Sequence, residues 1–76
     1  MRLVAIEWED ARDLATDQWN DVQEWEYIPC IVRTVGYVLK ETKEGYILTN
    51  SMHETQTGPV NQIPRAMVRS IREYSN

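Results

Sequence analysis

The chain has 76 residues, 42% of them hydrophobic and 26% charged, with a formal net charge of −4. A length of this order supports one domain with a small core, and the composition is neither that of a disordered chain nor of a collagen-like one. A single cysteine, Cys30, excludes an intrachain disulfide framework, and no apolar run approaches the roughly 20 residues that span a bilayer.

Charge is unevenly spread. Residues 7–26 hold eight acidic side chains against Arg12 alone, a net of −7, whereas residues 27–76 carry a net of +2. The front of the chain therefore repels phosphate backbones, which disfavours generic nucleic-acid binding while leaving room for a local basic stripe elsewhere. The N-terminal segment reaches Glu7 too early for a secretory signal, so a cytoplasmic protein with no membrane association is expected.

Residues 3–8 alternate, with Val4, Ile6 and Trp8 on one face and Ala5 and Glu7 on the other, which predicts a half-buried strand. Residues 10–25 are ambiguous. Ala11, Leu14, Ala15, Trp19 and Val22 fit one helical stripe that Asp10 would cap, but Asp, Asn and Thr are mediocre helix formers. A short helix and an ordered acidic loop both fit.

Residues 27–74 are dense in β signals. Ile31 to Leu39 is rich in β-branched and aromatic residues, and both of its alternating sets are apolar. It is expected to be a strand buried on both sides or bulged, with Gly36 marking a bend, a bulge or a close backbone approach. Lys40 to Gly45 is a polar turn and Tyr46 to Thr49 a return strand, together an antiparallel hairpin. Asn50 to Asn61 is a polar connection, and Val60 to Ile63 a short strand. Pro64-Arg65-Ala66-Met67 then forms one tight turn, and Val68 to Tyr74 closes the chain as an edge strand.

Short strands broken by frequent turns in so small a chain predict a small barrel. The run from Thr57 through Gly58, Pro59, Ile63, Pro64 and Arg65 to Val68 resembles the end of SH3-like barrels, where an Ile-Pro step and a 3₁₀ turn lead into the last strand. The hairpin holding Val35-Gly36-Tyr37 and Tyr46-Ile47-Leu48 is similar to that of SH3-like and Sm-like folds. With its Trp8-Glu9-Asp10-Ala11 step, the whole chain also resembles short uncharacterised proteins of tailed bacteriophages. The resemblance implies an all-β fold with at most one short helix near residues 10–25. It further implies a single SH3-like barrel over residues 1–76, with about five antiparallel strands, and a phage origin in a bacterial cytosol. It carries no assigned activity. The Ala-Leu-Tyr-Asp-Tyr start and paired Trp of peptide-binding SH3 domains are absent, so proline-rich peptide binding is not implied. The motif positions of RNA-binding Sm proteins have no placement here, so uridine-rich RNA binding is an analogy only.

Nucleophilic catalysis needs a nucleophile beside a base, yet His53 is the only histidine and Cys30 lies in an apolar run that reads as packing. One His and one Cys make no typical zinc site, and the acids of residues 9–24 lack the glycine of a calcium loop. No phosphate-binding fingerprint is present. No enzyme activity, metal or cofactor is therefore expected.

What remains is binding chemistry. Arg65, Arg69 and Arg72 cluster near the C-terminus, and guanidinium forks suit phosphate and carboxylate. The bland alternative is charge protecting an edge strand. Trp19 and Trp25 stand in the acidic stretch, either covering the barrel mouth or forming a contact platform. These five residues are the candidate partner-binding set. The expected function is a non-enzymatic binding or assembly module, acting as a homo-oligomer and engaging a host protein or a nucleotide-like ligand. The alternative is an Sm-like or SH3-like nucleic-acid binder using Arg65, Arg69, Arg72, Tyr74 and Tyr37.

Overall fold

The computed structural model describes residues 1–11 and 26–74. They form β1 (Leu3–Asp10), β2 (Cys30–Glu41), β3 (Gly45–Thr49), β4 (Met52–His53), β5 (Gln56–Thr57), β6 (Val60–Pro64), a 3₁₀ turn (Arg65–Met67) and β7 (Val68–Tyr74). Five strands make one antiparallel sheet in the order β6-β3-β2-β1-β7, and β4 with β5 makes a separate two-stranded ladder. Of residues 10–25, expected as a helix or an acidic loop, Asp10 instead ends β1 and Ala11 follows it, while residues 12–25 lie outside the described residues.

The alternation of β1 decides which face is buried. Val4 and Ile6 are fully buried, and Trp8 packs half-buried against the same cluster. Opposed residues of neighbouring strands share a face, so β2 adds Val38 and β7 adds Val68. Tyr46 and Leu48 of β3 and Ile63 of β6 complete the core. The Trp8 indole N–H donates to Thr34 Oγ1 across the strand pair at 3.0 Å, so the half-buried ring keeps its polar end satisfied.

The sheet bends where two ladders slip register, between Val38 and Lys40 in β2 and opposite Glu7 and Trp8 in β7. It does not close. The expected barrel is replaced by an open sheet whose ends, β6 and β7, are consecutive in the chain and joined by the three-residue 3₁₀ turn. A barrel has no edges only when every strand is paired on both sides. Here β6 is five residues long and ends at Pro64, which has no N–H to donate, and the chain swings at once from one edge of the sheet to the other.

Backbones approach closely at two glycines. A Cβ on Gly36 would lie 2.8 Å from the carbonyl oxygen of Thr49, which accounts for a glycine inside the strand. Gly45 closes the β2–β3 turn through reciprocal backbone bonds with Thr42 and adopts φ +157°. The backbone carbonyl of Ile63 occupies the space its side chain would take. Beyond β3, the buried Thr49 hydroxyl lies 2.9 Å from the carbonyl oxygen of Pro59 and 3.0 Å from that of Ser51, fixing both ends of the polar connection. That connection contains the β4–β5 ladder, which sequence reasoning left as an irregular segment.

One further expectation is corrected, and for β2 one of the two expected alternatives is observed. Cys30, read as a buried packing thiol, is half-buried at the first position of β2, opposite Asp10. Strand β2 is bulged but not buried on both sides, since Ile31, Val35 and Tyr37 are exposed.

Candidate functional site

Register places a second set of side chains on the outer face of β2, β1 and β7. Leu3 stands between Tyr37 and Tyr74, and Ala5 between Val35 and Arg72. The following row is Arg33, Glu7 and Ser70. Leu3 and Ala5 are half-covered by their neighbours, whereas Val35, Tyr37 and Tyr74 are exposed at 54%, 37% and 43%. The Arg72 guanidinium lies over the Tyr74 ring, 5.5 Å from its centroid, within cation–π reach. Arg33 is held by Glu7 at 3.2 Å. The half of this face nearer the β2–β3 turn thus has two tyrosines, apolar residues between them and no carboxylate in its two rows.

At one end of the sheet, charges form a chain. Glu73 of β7 accepts from Arg2, Arg2 also donates to Glu41 of β2, and Glu41 accepts from Arg65 of the 3₁₀ turn. Arg65 is further fixed by the carbonyl oxygens of Thr42 and Lys43, and its guanidinium stacks 4.9 Å from the centroid of Tyr46. Bonds first from Arg2 and then from Arg65 hold the Glu41 carboxyl below the usual carboxylate range, and the same contacts push both guanidiniums up. All these groups are solvated, so each pair alone contributes little. Their collective effect is to tie the start of β1, the end of β2, the 3₁₀ turn and the end of β7 together.

This chain has a definite pH signature. Glu41 binds a proton less readily folded than unfolded, so its contribution is fully present above the ordinary carboxylate range and is lost as pH falls through its depressed folded value. Urea midpoints should therefore fall between about pH 7 and about pH 3, and Glu41→Gln should show a smaller fall than the wild type. An equal fall in both would remove Glu41 from the acid response.

A groove of about 540 Å³ lies at the start of β7, lined by Glu9, Tyr27, Ile28, Met67, Val68 and Arg69 among others. The Tyr27 phenol donates to the Glu9 carboxylate, which pushes the phenol's pKa up. Arg69 reaches Glu9 at 3.8 Å.

The structure separates the predicted arginines. Arg65 is engaged by Glu41 and Tyr46, Arg69 by Glu9, and Arg72 by Tyr74. They do not converge on one phosphate-sized site. Trp19 and Trp25 lie outside the described residues. Among the described residues, no three His, Cys, Asp or Glu side chains gather as a metal site requires, and no helix is long and apolar enough to cross a membrane. His53 lies exposed in β4, in a different sheet from Cys30.

Sequence reasoning missed Arg2, Glu41 and Glu73, whose partners lie 39 and 71 residues apart in the chain. It named Tyr37, Tyr74 and Arg72 for the alternative nucleic-acid reading but did not place them on one face with Leu3 and Ala5. The available signal was the doubly apolar pattern of Val35 and Tyr37 beside Leu3 and Ala5, which fits an uncovered face as well as a buried one.

The described residues form a small all-β unit with an open antiparallel sheet, an apolar aromatic outer face and two sheet edges unpaired among them. Comparison with protein-family models, with curated proteins and with solved structures finds no match.

Proposed function

We infer that the protein is a non-enzymatic binding and assembly module that works as a homo-oligomer. The observation that carries this reading is the open sheet: β6 and β7 each present one side with no partner strand among the described residues. Unpaired N–H and C=O groups along an edge are a template for another strand, and a symmetric assembly buries them. Of the two edges, β7 is the better template. It has seven residues without Pro or Gly and exposes Ile71 at 40%, whereas β6 is shorter and stops at Pro64. Among the described residues the buried core holds five apolar side chains, a small number for holding a single copy folded. The resemblance to short tailed-phage proteins supports a host protein as the target of the assembled module.

Light scattering after size exclusion, from micromolar to millimolar protein, tests the reading. The wild type should exceed the 9.0 kDa of one chain as concentration rises. Ile71→Lys, which places a charge on the β7 edge, should return it toward one chain while keeping the far-ultraviolet spectrum. A wild type that stays at one chain throughout would overturn the reading.

A further inference from the structure

We propose that the outer face of the sheet is a binding site for unpaired nucleobases, with Tyr37 and Tyr74 as the stacking surfaces and Arg72 and Lys40 as the phosphate contacts. This goes beyond self-association and uses a different surface, so either claim can fail alone.

The placement comes from register. Tyr37 and Tyr74 lie on strands either side of β1, both opposite Leu3. Strand spacing puts their backbones about 10 Å apart, with Leu3 as the apolar floor between them. Both rings are exposed and neither belongs to the core. A tyrosine ring offers a π face to any base, so two rings at this spacing take two bases without demanding a sequence.

Charge favours the same occupant. Arg72 is already stacked on Tyr74, so its guanidinium extends the platform and presents donors beside it. Lys40 lies in the row beyond Tyr37, opposite Ile47. The acids of this face, Glu7 and Glu9, lie in the rows on the other side, and Glu7 is paired with Arg33. The half carrying the tyrosines is therefore locally basic although the whole chain is acidic. An apolar protein segment would have no use for two cations flanking two rings, whereas a base with its neighbouring phosphate engages both. The shared chemistry fits a free nucleotide or a single strand.

Fluorescence anisotropy with labelled oligothymidylate and oligouridylate, and competition by the mononucleotides, separates those sources. Wild type should bind an oligonucleotide at low salt, and affinity should fall as salt rises with a slope set by about two phosphates. Tyr37→Ala or Tyr74→Ala should weaken binding roughly 5- to 150-fold, one stacked base each. Arg72→Ala and Lys40→Ala should weaken it and flatten the salt slope. Competition by mononucleotide with the same tyrosine dependence would make a free nucleotide the occupant of this site, and oligonucleotide binding without it would make a single strand the occupant. No binding of either at low salt would overturn the proposal. So would binding that both tyrosine variants retain at full strength with native far-ultraviolet spectra.

Discussion

Gly45→Ala is expected to cost the protein a large share of its stability. The added Cβ would meet the carbonyl oxygen of Ile63 at 2.2 Å, the amide nitrogen of Arg65 at 3.0 Å and the Cα of Pro64 at 3.0 Å. All three atoms are backbone, so no side chain can swing aside. Relief requires parting β3 from β6 at the point where Gly45 opposes Pro64 and where the Arg65 N–H donates to the Glu44 carbonyl at 2.8 Å. The backbone at φ +157° adds strain for any residue with a side chain. Together these cost about 3 kcal/mol or more, against a net stability of about 4–11 kcal/mol for a chain of this length. The thermal midpoint in far-ultraviolet dichroism should drop by about 12 °C or more. A midpoint within about 2 °C of the wild type would show that β3 and β6 do not meet as described.

Ile6→Ala is the second large effect. Ile6 is fully buried on β1, the strand that carries both β2 and β7. Its side chain sits in a cluster with Val4, Tyr46, Leu48 and Ile63, drawn from three strands that converge on one face. Truncation removes transfer energy and leaves a cavity that a cross-strand lattice cannot collapse, a loss of about 2–5 kcal/mol. Midpoints in urea should fall accordingly, with the slope unchanged. Val35→Ala, at a position 54% exposed, should stay within about 0.5 kcal/mol of the wild type. Comparable losses at both positions would mean that the two faces are buried alike, as in a sheet covered on both sides.

These contrasts show which parts of the structure were legible in the sequence. Val4, Ile6 and Trp8 name their own face because period two is a local property of the backbone. The β2–β3 hairpin is written in the polar turn that ends at Gly45. The Ile63-Pro64-Arg65 step marks the 3₁₀ turn, since Pro64 has the extended backbone that precedes it and cannot extend the ladder. Closure was not legible. Whether β6 bonds to β7 depends on the accumulated bend of five strands, and alternation within each strand does not encode it. The same limit applies to the outer face of β2, where an apolar residue reads alike whether or not another layer covers it.

The candidate site was legible in part. Arg65, Arg69 and Arg72 are near in sequence, but a 3₁₀ turn, a register slip and strand alternation send them to different partners. Tyr37 and Tyr74 are far apart in sequence and come to flank Leu3 only because β1 pairs with both β2 and β7. The acid–base chain through Arg2 and Glu41 arises in the same way. Long-range pairing, rather than composition, decides which charges meet.

Residue-resolved amide hydrogen exchange in dilute protein tests the open sheet most directly, and the assembly reading depends on it. The open sheet predicts slow exchange from Leu3 to Trp8 of β1, the stretch paired on both sides, and slow exchange only at the inward-bonded amides of β6 and β7, with their outward amides fast. Uniform protection of β6 and β7 in dilute monomer, accompanied by close contacts between Val60–Pro64 and Val68–Tyr74, would mean a closed barrel and would contradict it.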